Sequence, residues 1–154
     1  MSSEAGTKMA KLLLGVMSLA CTVALGAGTA AQFNEMIKFT TYTYSLANYT
    51  NYGCHCGSNT LGVPVDETDW CCHEHACCYN QAQMMGCIPE TTHYRFYAYE
   101  DKIKCIKTPN KCDKEVCECD EEAADCFRKR LDTYNLHFRN MTASASCRGP
   151  RPFC

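Results

Sequence analysis

The chain has 154 residues, and its formal net charge is −2. Its 15 cysteines, nearly one residue in ten, are typical of a disulfide-stabilised secreted protein and argue against a cytosolic enzyme. The length allows one domain, and the small net charge argues against nucleic acid as a partner and against strong attachment to anionic membranes.

The N-terminal segment has the three parts of a secretory signal peptide. Two lysines precede an apolar run over residues 12–25, and small residues follow over 26–31. We expect a signal peptide over residues 1–28, with the cut between 28 and 31, because the run is too short for a membrane span. Its removal takes Cys21 and leaves an even set of 14 cysteines for seven bridges. The sequence therefore predicts a secreted, extracellular protein.

The remaining residues, 29–154, contain no repeat or linker and are predicted to form one domain. Phe33, Met36, Ile37 and Thr40 follow one another at the spacing of an amphipathic helix. This first helix buries its apolar stripe in the core, or the stripe forms an apolar entrance for a lipid chain.

A shaped loop and a second helix follow. Residues 52–64 contain three glycines without helical periodicity, which predicts an irregular loop. Asp66 or Thr68 can cap a helix over residues 67–85, and Gly86 ends it.

The C-terminal half is predicted to contain a hairpin and a third helix. Aromatic and aliphatic residues over 92–107 flank a polar tip, which predicts a β-hairpin. A long helix is expected over 114–134, where the basic run 128–130 lies near acidic residues and is interpreted as a solvated face.

The second predicted helix concentrates reactive side chains. Between Asp69 and Tyr79 lie four cysteines and two histidines, His73 and His75. Zinc is one ion that these side chains could bind. Disulfides are favoured, because the spacing is poor for a tetrahedral site and an oxidising compartment converts thiols into bridges.

Three segments together resemble the secreted phospholipases A2 of the group II type. They are the stretch from Asp69 to Tyr79, the loop Tyr52-Gly53-Cys54-His55-Cys56-Gly57 and the stretch from Cys117 to Cys126. The resemblance covers essentially the whole mature chain. It implies a mainly α, disulfide-rich fold with two long antiparallel helices, an N-terminal amphipathic helix, a calcium-type loop and a small β-hairpin.

The resemblance also implies a disulfide pairing. The implied pairs are Cys54–Cys147, Cys56–Cys72, Cys71–Cys126, Cys77–Cys154, Cys78–Cys119, Cys87–Cys112 and Cys105–Cys117. Two of these pairs support each other, because Cys71 and Cys78 are seven residues apart, as are Cys119 and Cys126. That is the register of two antiparallel helices with two turns between the bridges.

The family's reaction, carried over by resemblance, assigns roles to the residues around His75. His75 takes a proton from the water that attacks the ester, and Asp120 holds the imidazole, with Tyr79 and Tyr94 bonded to the aspartate. Calcium polarises the ester carbonyl, and the amide of Gly57 adds to the oxyanion site.

The calcium site departs from the family pattern in two places. The family's calcium positions correspond to His55, Gly57, Asn59 and Ala76, and the family has aspartate where this chain has Ala76. Asn59 and Thr60 stand where the family has a glycine pair. Calcium takes about six to eight oxygen ligands, and loop carbonyls bring it no negative charge. We therefore predict a degenerate site that binds no metal, and hence no cofactor.

The sequence thus predicts a secreted phospholipase A2-like protein that is catalytically inactive and retains lipid or receptor binding. Among group II proteins it is similar to inactive forms, with the IIC type as the candidate subtype. One alternative is an active calcium-dependent hydrolase of the sn-2 ester of phosphoglycerides. A second alternative is a disulfide-stabilised extracellular protein that acts as a ligand and has no lipid role.

The expected partners are a phospholipid or membrane interface, bound weakly, and a cell-surface receptor. Nucleic acid is not an expected partner, and a monomer is expected. Two sequons, at Asn48 and Asn140, make these residues glycosylation candidates.

Overall fold

The computed structural model describes residues 28–57, 60–141 and 146–154. The predicted signal peptide, apart from Gly28, and Asn59 of the predicted calcium loop lie outside the described residues. No helix in the described part of the chain has the length and apolar character needed to cross a membrane.

The described residues form four α-helices and one two-stranded sheet, which confirms the mainly α fold. The elements are α1 (Gly28–Thr41), α2 (Leu46–Tyr49), α3 (Glu67–Met84), β1 (Phe96–Tyr99), β2 (Lys102–Cys105) and α4 (Lys111–Lys129), with 3₁₀ turns at Pro89–Thr91 and Leu136–Phe138. The strands are antiparallel, with Phe96 opposite Cys105 and Tyr99 opposite Lys102.

The predicted elements are present, with shifted ends. Helix α4 begins at Lys111, before the predicted start at 114, because the Asn110 side chain caps it and accepts from the backbone N–H groups of Cys112 and Asp113 at 2.9 and 3.3 Å. The predicted end at 134 is wrong, because the helix stops at Lys129 and a turn follows. The short helix α2 carried no amphipathic signal and was not predicted.

Asp66, one of the two residues predicted to cap the second helix, is the N-cap of α3. Its side chain accepts from the backbone N–H of Asp69 at 2.8 Å. On α4, Arg128 and Lys129 pair with Asp125 at 2.8 and 2.6 Å. This supports the interpretation of the basic run as a solvated face with compensating charges.

The described residues form seven disulfides, and these join the pairs that the resemblance implies. Two bridges, Cys71–Cys126 and Cys78–Cys119, join α3 to α4 and make the helices antiparallel. Helix α1 packs against α4, with Met36 and Ile37 fully buried. The apolar stripe of α1 therefore belongs to the core.

A buried carboxylate shapes the loop before α3. Asp69 is 0% exposed and accepts from the backbone N–H groups of Cys54, His55 and Val65 at 2.8 to 2.9 Å. Gly53 lies so close that a Cβ there would be 2.3 Å from Cγ of Asp69, and its φ is +57°. These contacts hold the loop around the carboxylate of Asp69.

We expect Asp69→Asn to lower the free energy of unfolding by about 2–4 kcal/mol, because an amide accepts fewer of these bonds and carries no charge. Denaturant unfolding with the disulfides intact measures this change. The matched control is Asp132→Asn at an exposed position. Equal stability of the two variants would contradict the anchoring role of Asp69.

Candidate functional site

The register of α3 and α4 brings His75 to Asp120. Nε2 of His75 lies 2.7 Å from Oδ1 of Asp120, and the aspartate is 0% exposed. The hydroxyl of Tyr79 donates to Oδ1 at 2.7 Å, and that of Tyr94 donates to Oδ2 at 2.5 Å. The four residues that the resemblance groups together therefore form one hydrogen-bonded cluster.

The two tyrosines act as hydrogen-bond donors at all ordinary pH. Burial, and then the charge of Asp120, raise the pKa of Tyr79 and of Tyr94. Each phenol therefore keeps its proton and directs it at the carboxylate. With Nε2 of His75 facing Asp120, Nδ1 is the ring nitrogen that remains for other partners.

An apolar cavity of about 410 Å³ lies beside this cluster. His75 and Tyr79 line it together with Phe33, Leu46 and Phe127. The ring of Phe33 stacks on the imidazole of His75, with centroids 4.6 Å apart and planes 25° apart. Phe33 therefore both packs in the core and forms a wall of the cavity, so the two interpretations of the first helix are compatible.

The predicted calcium positions within the described residues also meet at this cavity. His55, Gly57 and Ala76 line it with His75. Ala76 presents a methyl group where a carboxylate would be needed, and Asp120 is engaged by three donors. None of the described calcium positions, His55, Gly57 and Ala76, offers a carboxylate, so these three residues do not fit calcium, which requires a set of oxygen ligands with compensating charge.

The zinc alternative is wrong for the described residues. A geometric cluster of His73, Cys77 and Cys154 exists, but the two cysteines are joined in a disulfide. The same holds for the other cysteines of α3, which bridge to the loop and to α4. No thiolate is left in this segment to bind zinc.

Several residues of the cavity were not singled out from the sequence, and Glu90 and Tyr49 are two of them. Glu90, on the 3₁₀ turn after α3, lines the cavity and is exposed. Tyr49 of α2 also lines it, stacked on Phe127 at 3.9 Å. Neither lies in a motif that points to a cavity, and both come to it through chain segments whose path depends on tertiary packing.

Comparison with known proteins agrees with this geometry. A family model described as phospholipase A2 matches residues 30–139. The chain belongs to the phospholipase A2 family. It is similar to the phospholipase A2 homolog otoconin-22 of Xenopus laevis, with 60% identity over 127 residues that cover 82% of this chain and 100% of the relative.

Secretory members of the family are also similar over most of their length. The group IIE secretory phospholipase A2 of Mus musculus is 42% identical over 141 residues, which cover 90% of this chain and 97% of the relative. The membrane-associated phospholipase A2 of Cavia porcellus is 40% identical over 146 residues, which cover 95% and 100%. The chain is thus a group II-like member of the phospholipase A2 family.

We expect Tyr94→Phe to lower the free energy of unfolding by about 1.5–3 kcal/mol, because it removes a donor from a buried charged acceptor. Denaturant or thermal unfolding measures the change. Tyr97→Phe, at a side chain that is 54% exposed, is the matched control. If the two variants were equally stable, the Tyr94 hydroxyl would not be stabilising the Asp120 carboxylate.

Proposed function

We propose that this phospholipase A2 homologue does not hydrolyse phospholipids with calcium and instead binds a lipid chain in the cavity beside His75. Ala76 is the observation that carries the proposal. It lines the cavity next to His75, at the place where the family's calcium ligand is expected. Without a charged ligand there, calcium binding loses its principal electrostatic support.

Loss of the metal removes more than one contribution to catalysis. In the family's chemistry the ion stabilises the oxyanion that forms when water attacks the ester, and such stabilisation is commonly the largest catalytic effect. His75 and Asp120 can accept and orient a proton but supply no positive charge at that oxygen. We propose that the His75–Asp120 pair persists as a satisfied polar network, since removal of either partner leaves a buried group unpaired.

The main alternative is an active, calcium-dependent hydrolase of the sn-2 ester. The intact His75–Asp120 geometry and the secretory phospholipases A2 among the relatives favour it. A disulfide-scaffold ligand with no lipid role is a weaker candidate, because the apolar cavity persists next to the polar cluster. The assays below separate these functions.

We expect the wild type to release no fatty acid from phosphatidylcholine or phosphatidylglycerol vesicles in millimolar calcium. A triple variant with Ala76→Asp, Asn59→Gly and Thr60→Gly introduces the family's carboxylate and glycine pair, and should recover part of the activity. Fatty-acid release and calcium calorimetry measure the two effects. His75→Gln in the triple background is the control and should abolish the recovered activity.

One outcome would contradict the proposal, and a second would show a further defect. Calcium-dependent hydrolysis by the wild type, lost in His75→Gln, would establish the active alternative. A triple variant that binds calcium but stays inert would show that the site lacks something besides the calcium ligands.

We further propose that the protein is secreted after removal of residues 1–28. The secretory phospholipases A2 among the relatives support this. Thr29 is buried, and its hydroxyl lies 2.5 Å from the carbonyl of Pro89 and 2.6 Å from that of Thr92. A cut beyond Thr29 would remove this contact, which favours Thr29 as the first mature residue.

The two sequons differ in structural setting. The side chain of Asn48 accepts from the backbone N–H of Ser45 at 2.9 Å and is partly buried, whereas Asn140 is exposed in a turn. We expect secreted protein to begin at Thr29 and to carry a glycan at Asn140 only. Intact-mass analysis with and without deglycosylation tests this, and loss of the mass shift in Asn48→Gln but not in Asn140→Gln would contradict it.

A lipid interface and a cell-surface receptor remain the proposed partners, and a monomer the proposed state. The relative named as membrane associated supports the lipid interface in general terms. Vesicle sedimentation and light scattering of the folded protein test these proposals. Stable dimers at micromolar concentration would contradict the monomer.

A further inference from the structure

The bridge between Cys77 and Cys154 is the most accessible of the seven that the described residues form. Cys154 is exposed and Cys77 is half-buried, so this bridge contains no buried cysteine. Each of the other six bridges contains at least one buried cysteine. Exchange with an external thiol requires access to one of the two sulfurs. The fold therefore shields six bridges and leaves one open to attack.

Two nitrogen-bearing side chains lie beside the sulfurs of this bridge. Nη2 of Arg151 lies 4.0 Å from Sγ of Cys154, and Nε2 of His73 lies 3.6 Å from Sγ of Cys77. A thiolate is the attacking species in disulfide exchange, and a neighbouring cation stabilises it. Arg151 is thus placed to favour a thiolate at the exposed sulfur, and His73 is placed to hydrogen-bond the sulfur that leaves.

The same bridge fastens residues 148–154, here called the tail, to α3. The tail also contacts the loop before α3, where the N–H of Gly62 donates to the carbonyl of Gly149 at 3.1 Å. Nη1 of Arg151 donates to the hydroxyl of Thr60 at 3.3 Å. A buried disulfide precedes the tail and holds its other end. Opening of the exposed bridge therefore loosens the tail, and with it the support of this loop, without detaching the tail.

We propose that Cys154 is a site of S-thiolation by low-molecular-weight thiols, and that this reaction opens the Cys77–Cys154 bridge while the other six stay closed. The thiolate attacks Sγ of Cys154, a disulfide forms between the thiol and Cys154, and the Cys77–Cys154 bond breaks. The electron pair of that bond leaves on Sγ of Cys77, which takes up the proton that the attacking thiol lost. One disulfide replaces another, so no oxidant is required. The inference is independent of lipid binding in the cavity.

Thiol exchange on the folded protein tests the site. The secreted protein with its disulfides formed is incubated with glutathione at neutral pH without denaturant, quenched with acid and N-ethylmaleimide, and digested for peptide mass mapping. We expect the first product to carry glutathione on Cys154 and the maleimide on Cys77. It should form at least about tenfold faster than any product at another bridge, because access limits the exchange. Amide hydrogen exchange at Gly62 should be faster in this product than in the unmodified protein.

Cysteine variants locate the reaction. The double variant Cys77→Ser with Cys154→Ser should take up no glutathione under the same conditions. Its matched control is Cys105→Ser with Cys117→Ser, which lacks a different bridge and should still react at Cys154. The peptide map of the wild type decides the site even where a variant fails to fold.

A pair of arginine variants tests the cation beside Cys154. Arg151→Gln should slow the reaction with glutathione by about two- to fivefold at low ionic strength, and added salt should reduce the difference. Arg148→Gln is the matched control, because Arg148 is an exposed arginine of the same tail. A rate in Arg151→Gln that equals or exceeds the rate in Arg148→Gln would overturn the role assigned to Arg151.

The peptide map also defines the results that overturn the site. A first reaction at any other bridge, glutathione on Cys77 with maleimide on Cys154, or no reaction until denaturant is added would each overturn the proposal. Unchanged hydrogen exchange at Gly62 in the thiolated protein would overturn the loosening of the loop. None of these results bears on hydrolysis or lipid binding, which are measured without added thiol.

Discussion

The pair of disulfides between α3 and α4 is the constraint on which the rest of the structure depends. Cys71–Cys126 and Cys78–Cys119 fix how the two helices slide and rotate against each other. Because His75 lies between the two bridged positions of α3, the same register brings its imidazole to the buried carboxylate of Asp120. A disulfide stabilises by about 2–4 kcal/mol, mainly through the unfolded chain. Here it also aligns a polar cluster that neither helix could assemble alone.

Retention of the His75–Asp120 cluster does not require catalysis. Asp120 is fully buried, and it is tolerated there because three donors surround it. Loss of any donor leaves a charge poorly compensated, so the cluster has a structural value independent of hydrolysis. Ala76 has no polar side-chain group and carries no such penalty. The loss of calcium binding that we propose therefore need not disturb the fold, and it is compatible with an intact His75–Asp120 pair beside Ala76.

The cavity beside His75 would then be free to serve a different ligand. Its walls come from all four α-helices and from the loop through His55 and Gly57. Glu90 also lines the cavity, from a short 3₁₀ turn outside the α-helices.

Much of the fold could be predicted from the sequence alone, because the positions of the cysteines define its covalent constraints. The cysteine spacing predicted the helix register, the amphipathic spacing of Phe33, Met36 and Ile37 predicted a buried face, and the resemblance supplied the family. The length of α4 was misjudged, since a capping Asn110 and the turn after Lys129 act locally against the periodic pattern. Only the tertiary structure decided which groups meet at the cavity, because Glu90 and Tyr49 lie on segments placed by long-range packing.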